Sequence, residues 1–337
     1  MINKVSINKI KNDSNFLAAL KINEGSSVNF NFLAAGEYNS NFYFIHPETN
    51  KKYIVRIPLK SQMNLTNQAK YEYDALNLLK NSNRTPNAIY LDQSKKIVDF
   101  DFLVIEFLQG RPLDYKSDLS IAANILADIH NYNIPKNNSL IAPDNPLNSM
   151  LIECNNMSKV YFNYNDANAL TKKLIKELIT KCKTLIEKPL QTKTRCLINT
   201  ELNSGNFLIN GKGKENYLID WEKPLYAYAQ QDLGHFLAPT TTYWKTDCIL
   251  NETEILNFMH QYSRLSDLYI SFEDLWQSTL PFFMMNCLRG VTWCSMAFVE
   301  YQNPNRHIRQ DDTYKKIKEY ISFEFLENIQ QLLNSYA

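Results

Sequence analysis

Residues 197–209 read Leu-Ile-Asn-Thr-Glu-Leu-Asn-Ser-Gly-Asn-Phe-Leu-Ile, and residues 217–222 read Tyr-Leu-Ile-Asp-Trp-Glu. Two short apolar runs flank a polar loop in the first segment, which predicts strand, loop and strand. The stretch 210–216, rich in Gly, Asn and Lys, supplies a turn, and 217–221 a further short strand. Asn206 would close the loop and Asp220 would end the last strand. If those strands pair, an amide and a carboxylate offer hard oxygens to a magnesium ion, which binds such ligands at about 2.1 Å and keeps several waters.

Toward the N-terminus the pattern is β-rich. Segments 27–34 and 41–47 flank Gly36, and 51–59 follows the turn at 47–50. In 67–80, Ala69, Tyr73, Leu76 and Leu79 recur at helical spacing, with Pro86 beyond the end. Segments 88–93 and 101–108 are two more strand candidates. From about residue 117 the pattern turns helical, with an amphipathic helix over 118–133 and a second over 167–188. The intervening 134–150, rich in Pro and Asn, predicts a loop, and the chain beyond about 250 is mostly helical. Five short strands with one helix, then a helical body, predict an α+β chain of two lobes. The small lobe would span 1–108 and the large one 109–337.

The bulk numbers narrow the function. A chain of 337 residues, 45% hydrophobic and 21% charged, can bury a large core. A formal net charge of +1 argues against nucleic acid or an anionic membrane as the main partner. The six cysteines form no Cys-x-x-Cys pair, so neither a zinc site nor a disulfide framework is expected, and a reducing compartment is. With no apolar leader at the N-terminus and no run of 18 apolar residues, a cytoplasmic protein without a membrane span is expected.

The two quoted segments, extended through Asp232-Leu233, resemble the aminoglycoside phosphotransferase and choline kinase family, small-molecule kinases with the two-lobed protein-kinase fold. The similarity runs from about Leu33 to Asp232. In that family the loop reads His-Gly-Asp-Leu-His-x-x-Asn, followed by Ile-Asp-Trp-Glu and a downstream Asp-Leu. Here Asn206, Asp220-Trp221-Glu222 and Asp232-Leu233 match, whereas Asn199 and Glu201 stand where the family has His and Asp. The resemblance implies a small antiparallel-sheet lobe with one main helix and a larger, mainly helical lobe. It implies ATP or GTP and Mg2+ as cofactors, with Asn206 and Asp220 as metal ligands and Asp232 as a brace for the loop. Gly36 would let backbone approach phosphate, Arg56 paired with Glu72 would hold phosphates, and the backbone from Glu106 to Leu108 would bind adenine.

Glu201 would then be the catalytic residue that orients an acceptor hydroxyl. Reference carboxylate pKa values of about 3.9 and 4.3 separate Asp from Glu by only about 0.5 kcal/mol. The extra methylene matters more, because a displacement of about 1 Å can lower a rate ~100-fold. Asn199 can brace the loop through its amide. The acceptor would be a small molecule carrying a hydroxyl: an amino alcohol, an aminoglycoside-like compound or a sugar. Trp276, Trp293, Phe298, Glu300 and Tyr301, with Tyr243 and Trp244, are candidates to hold a cationic acceptor, and Glu222 could face it or pair with Lys223. The rival reading is a pseudokinase, a nucleotide-binding module in which Glu201 no longer supports turnover; transfer of a nucleotidyl group is a third. No protein partner is legible.

Overall fold

The computed structural model describes residues 7–36, 38–187, 194–267, 271–303 and 311–336. The chain forms two compact units, and neither is one continuous stretch. The first comprises Met1–Arg111, Tyr132–Leu140 and Phe207–Pro224, and the second Pro112–Asn131, Ile141–Asn206 and Leu225–Ala337.

In the first unit five strands form one antiparallel sheet. They are β1 (Asn31–Ala35), β2 (Asn39–Ile45), β3 (Lys52–Pro58), β4 (Ala88–Asp92) and β5 (Phe102–Glu106), in the order β1-β2-β3-β5-β4. Alternation along each strand sorts the faces. Phe42, Phe44, Val55, Ile57, Phe102 and Val104 join Phe16 and Leu17 of helix α1 (Ser14–Leu20) and Phe30 in an aromatic-rich core. The Phe44 ring lies 5.6 Å from that of Phe16 and 5.5 Å from that of Phe30. Residues of opposite parity take the other face, where the register aligns Asn41, Arg56 and Leu103 across three strands.

Helix α2 (Gln68–Leu78) buries Gln68, Ala69, Tyr71, Glu72, Ala75 and Leu76. The stripe expected through Tyr73 is therefore corrected: Tyr73 is half-buried, and Glu72 occupies the buried position between Ala69 and Ala75. A short hairpin pairs Phe207–Leu208 with Tyr217–Leu218. It lies so close to Gly110 that a Cβ there would sit 2.7 Å from the Leu208 carbonyl carbon, so only glycine fits.

The second unit is helical: α3 (Leu119–Asn131), α4 (Pro146–Phe162), α5 (Ala169–Lys183), α6 (Ala229–Leu237), α7 (Pro239–Lys245), α8 (Glu252–Leu265), α9 (Phe272–Gln302), α10 (Asp311–Tyr320) and α11 (Phe323–Ser335). A short ladder joins Cys196–Ile198 to Leu225–Ala227. The predicted end of α5 at Lys188 lies outside the described residues. The loop expected over 134–150 ends early, since α4 starts at Pro146. The Asn145 side chain caps it by accepting from the Asn148 N–H at 3.0 Å, and proline is tolerated in a first turn because it lacks a donor there.

Helix α9 is the spine of this unit, packing against α4, α5, α6, α7 and α10. By length and composition it could cross a membrane, but 67% of its apolar window is buried within the protein, as in a core helix. Gly234 of α6 meets α9 backbone to backbone: a Cβ there would lie 2.5 Å from the Phe283 nitrogen. Gly234→Ala should therefore lower stability by about 1–3 kcal/mol through overpacking. An unchanged denaturant midpoint would contradict that close approach.

Candidate active site

Arg56 is the centre of a charge cluster in the first unit. The two-residue period of β3 that sends Val55 and Ile57 into the core sends Arg56 to the opposite face, where it is 8% exposed. Its Nε donates to the Glu72 carboxylate at 2.8 Å, and its Nη2 donates to Asp220 and, at 3.3 Å, to Glu222. Asp220 adopts a φ of +64°, a left-handed conformation that aspartate tolerates better than most residues. Glu222 is a hub: it accepts from Asn39 Nδ2 and, at 2.7 Å, from Gln62 Nε2, while its carbonyl accepts from Gln68 Nε2 at 2.7 Å. Burial works against the Arg56 charge, but Glu72, Asp220 and Glu222 outweigh it and raise its pKa. Burial pushes the Glu72 carboxyl up, partly offset by Arg56. Three carboxylates around one guanidinium leave an excess of negative charge.

The 199–206 loop, in the second unit, is irregular yet pinned at successive backbone donors. Asn199 N–H and Thr200 N–H each donate to the buried Asp232 carboxylate at 2.8 Å. Glu201 N–H donates to Asn199 Oδ1 at 2.9 Å, and Leu202 N–H to His235 Nδ1 at 3.1 Å. Asn206 Nδ2 donates to the Glu201 carbonyl at 2.6 Å. Asp232 also meets His130 Nε2 at 3.3 Å, and His130 Nδ1 meets the Tyr262 hydroxyl at 2.9 Å. A carboxylate only accepts, so Nε2 carries a proton toward Asp232. Thr200 sits at a φ of +69°, a strained conformation for a β-branched residue. Thr200→Gly should relieve that strain and raise stability by about 1 kcal/mol, net of the flexibility glycine adds to the unfolded chain. A lower melting temperature would show that the threonine side chain is itself a brace.

Residues 29–267 match the family described as the phosphotransferase enzyme family, well over half of the chain. The chain belongs to this family. Comparison with curated proteins gave no match. Among solved structures, a choline kinase from Cryptosporidium parvum is similar, with a TM-score of 0.68 at 15% identity, covering 98% of this chain and 96% of that one. An ethanolamine kinase from Plasmodium vivax gives 0.63 at 14%, covering 90% and 84%. A spectinomycin phosphotransferase in complex with ADP and spectinomycin gives 0.62 at 16%, covering 94% and 98%. At these identities the likeness establishes the fold, which is α+β and protein-kinase-like: an antiparallel five-stranded sheet with its helix, and a larger helical part.

In this phosphotransferase the expected residues fall as follows. Arg56, Glu72 and Asp220 are brought together in the first unit, and Glu201 and Asn206 in the second. Asn206 is the residue leading into the short hairpin, and Asp220 the second residue beyond it. Among the described residues no group of three or more His, Cys, Asp or Glu side chains could hold a metal alone. The donor set nonetheless suits Mg2+, which takes one or two protein oxygens and completes its shell with phosphates and water. The Asn206 amide nitrogen is committed to the Glu201 carbonyl.

Glu106 ends β5, with its side chain accepting from Asn87 Nδ2 at 2.9 Å and its N–H donating to Asn87 O at 2.9 Å. Phe107 N–H donates to Lys52 O at 3.2 Å, whereas among the described residues no partner takes the Leu108 N–H. Gly36 is exposed, and a Cβ there would meet nothing within 4 Å, so nothing inside the fold demands glycine.

Of the acceptor candidates, Trp276 is core at 8% exposure. Trp293 packs edge-on against Trp244 at 5.3 Å, and Tyr301 stacks on Tyr314. Tyr243 lies under the Lys316 ammonium, 3.3 Å from the ring centre. Sequence reasoning missed His235, Thr200 and Arg289. The first had a signal: His235 follows Asp232 by three residues in α6, so both share the helix face that meets the loop.

Proposed function

We propose that this phosphotransferase moves the γ-phosphoryl group of ATP or GTP, with Mg2+, onto a hydroxyl of a small molecule in the cytoplasm. The observation that carries the reading is the buried Arg56–Glu72 pair with Asp220 on the same guanidinium. A strand cation fixed by a helix carboxylate is what phosphoryl transfer needs along the nucleotide's phosphates. Glu72 holds the fork, and Arg56 presents its charge to the phosphates. Asn206 and Asp220 would hold Mg2+, which when bound neutralises charge on the phosphates. The backbone from Glu106 to Leu108 would bind adenine, and Gly36 would permit close approach of the backbone to phosphate.

Glu201 orients the acceptor hydroxyl and takes its proton as the new O–P bond forms and the bond to the departing nucleoside diphosphate breaks. A loose transition state asks little of this base, so a glutamate suffices. The acceptor class is a hydroxylated amine or sugar, in keeping with the choline, ethanolamine and spectinomycin named for similar proteins.

The test is calorimetry with ATP and GTP, with and without Mg2+, followed by release of nucleoside diphosphate across a panel of amino alcohols, aminoglycosides and sugars. Metal-enhanced binding and a phosphorylated product are expected. A folded protein that binds neither nucleotide would sink the reading, metal-independent binding without turnover would leave a pseudokinase, and a nucleotidylated product would replace the reaction.

A further inference from the structure

We infer that Arg289 is a positioning residue for Glu201, a helix-borne guanidinium that aims the carboxylate at the acceptor. This rests on the catalytic role proposed for Glu201. Arg289 lies on α9, and its Nη2 is 3.4 Å from Glu201 Oε1 while its Nε is 3.3 Å from Glu153 Oε2 of α4. Its side chain is 15% exposed, and that of Glu201 21%.

The Glu201 backbone is fixed at both ends, by its N–H on Asn199 Oδ1 and its carbonyl under Asn206 Nδ2. Its side chain has one more rotatable bond than the aspartate of the resembling motif. A carboxylate with that freedom visits many poses unless something outside the loop selects one. Arg289 is placed to do so. The next residue, Gly290, sits against α7 so closely that a Cβ would be 2.6 Å from the Thr240 Cβ, which fixes the turn of α9 from which Arg289 springs.

Glu153 takes the Nε edge of the fork, and this sets the plane in which Nη2 faces Glu201. Lysine has one charged atom and no plane, so it cannot bridge two carboxylates with fixed direction. Burial disfavours the Arg289 charge, but Glu153 and Glu201 more than compensate and raise its pKa, so the guanidinium stays cationic at any working pH. The arrangement assigns a reason to the glutamate: its length is matched by a partner on a different helix.

The test is a double-mutant cycle in steady-state kinetics on the full chain, using an acceptor found in the screen above. Glu201→Gln should lower kcat about 10²–10⁴-fold. Arg289→Met should lower kcat about 10–100-fold with KM for ATP unchanged. In the double variant the Arg289 change should add nothing further, because its effect passes through the carboxylate already removed. Arg289→Lys, which keeps the charge and folds more readily, should show the same loss of coupling. Multiplicative losses in the double variant would overturn the inference, as would wild-type kcat in Arg289→Met or in Arg289→Lys. Wild-type kcat in Glu201→Gln would instead remove the role of Glu201 and the inference with it, a result distinct from the others.

Discussion

Replacing Asp232 with alanine is expected to lower folding stability by about 3–5 kcal/mol and turnover by ~100-fold or more. Its carboxylate is fully buried and accepts from the backbone of Asn199 and of Thr200 while facing His130. Hydrogen bonds to an ionised acceptor contribute about 1.5–3 kcal/mol each, and their loss leaves two buried donors without partners. Thr200 would also lose the anchor that holds it at positive φ, so the loop would relax and carry Glu201 with it. Asp232→Asn should be nearly as damaging, since one amide edge would present a donor to a donor. Urea denaturation and hydrogen exchange at the 199 and 200 amides measure this directly. A loss below about 1 kcal/mol with those amides still protected would mean that the loop holds itself.

The second large effect is expected at Arg56. Arg56→Met keeps the apolar stem and removes the charge, leaving Glu72, Asp220 and Glu222 around an empty centre, with Glu72 only 1% exposed. Breaking a buried ion pair from one side costs about 3–5 kcal/mol, because the remaining charge is uncompensated. Nucleotide affinity should fall at least ~10-fold with it. The pH dependence carries a sign. Glu72 already titrates above its ordinary value in the folded chain because of its burial, and losing Arg56 raises it further. A carboxyl raised on folding adds stability below its unfolded value and loses it as pH rises through the folded one. The deficit of the variant should therefore be smallest near about pH 4 and grow toward about pH 7. A pH-independent deficit would assign the loss to packing rather than charge.

Much of the first unit was legible because its signals are local. The β-rich runs and turn residues marked the strands, whereas Arg56 came from the resemblance to the family and not from the strand pattern. Glu72 was legible only through its expected partner, yet it carries a signal of its own: a carboxylate inside an apolar stripe, three residues after Ala69 and three before Ala75. Helix α4 was hidden because Pro146 and the asparagines around it read as a breaker, when one of them is the cap. Arg289 could not be found from sequence. It lies 88 residues from Glu201, and only the packing of α9 against α4 and α7 brings the guanidinium to the loop. Thr200 was missed because its strain is a matter of backbone angle, which no residue pattern displays.

The interleaving of the two units sets an order on biosynthesis. Glu72 follows Arg56 by only 16 residues, so that pair can form while the chain is still emerging. Asp220 and Glu222 follow it by 164 and 166 residues, after most of the helical unit's first half has been made. Until then the nascent sheet carries only the Arg56–Glu72 pair and lacks its hairpin. Closing so long a loop is slow, and it exposes apolar strand surface in the meantime. A ribosome-bound chain halted near residue 111 should therefore be loose and protease-sensitive, and one extended past residue 224 should become resistant. The charge cluster is then a latch that fastens only late in synthesis.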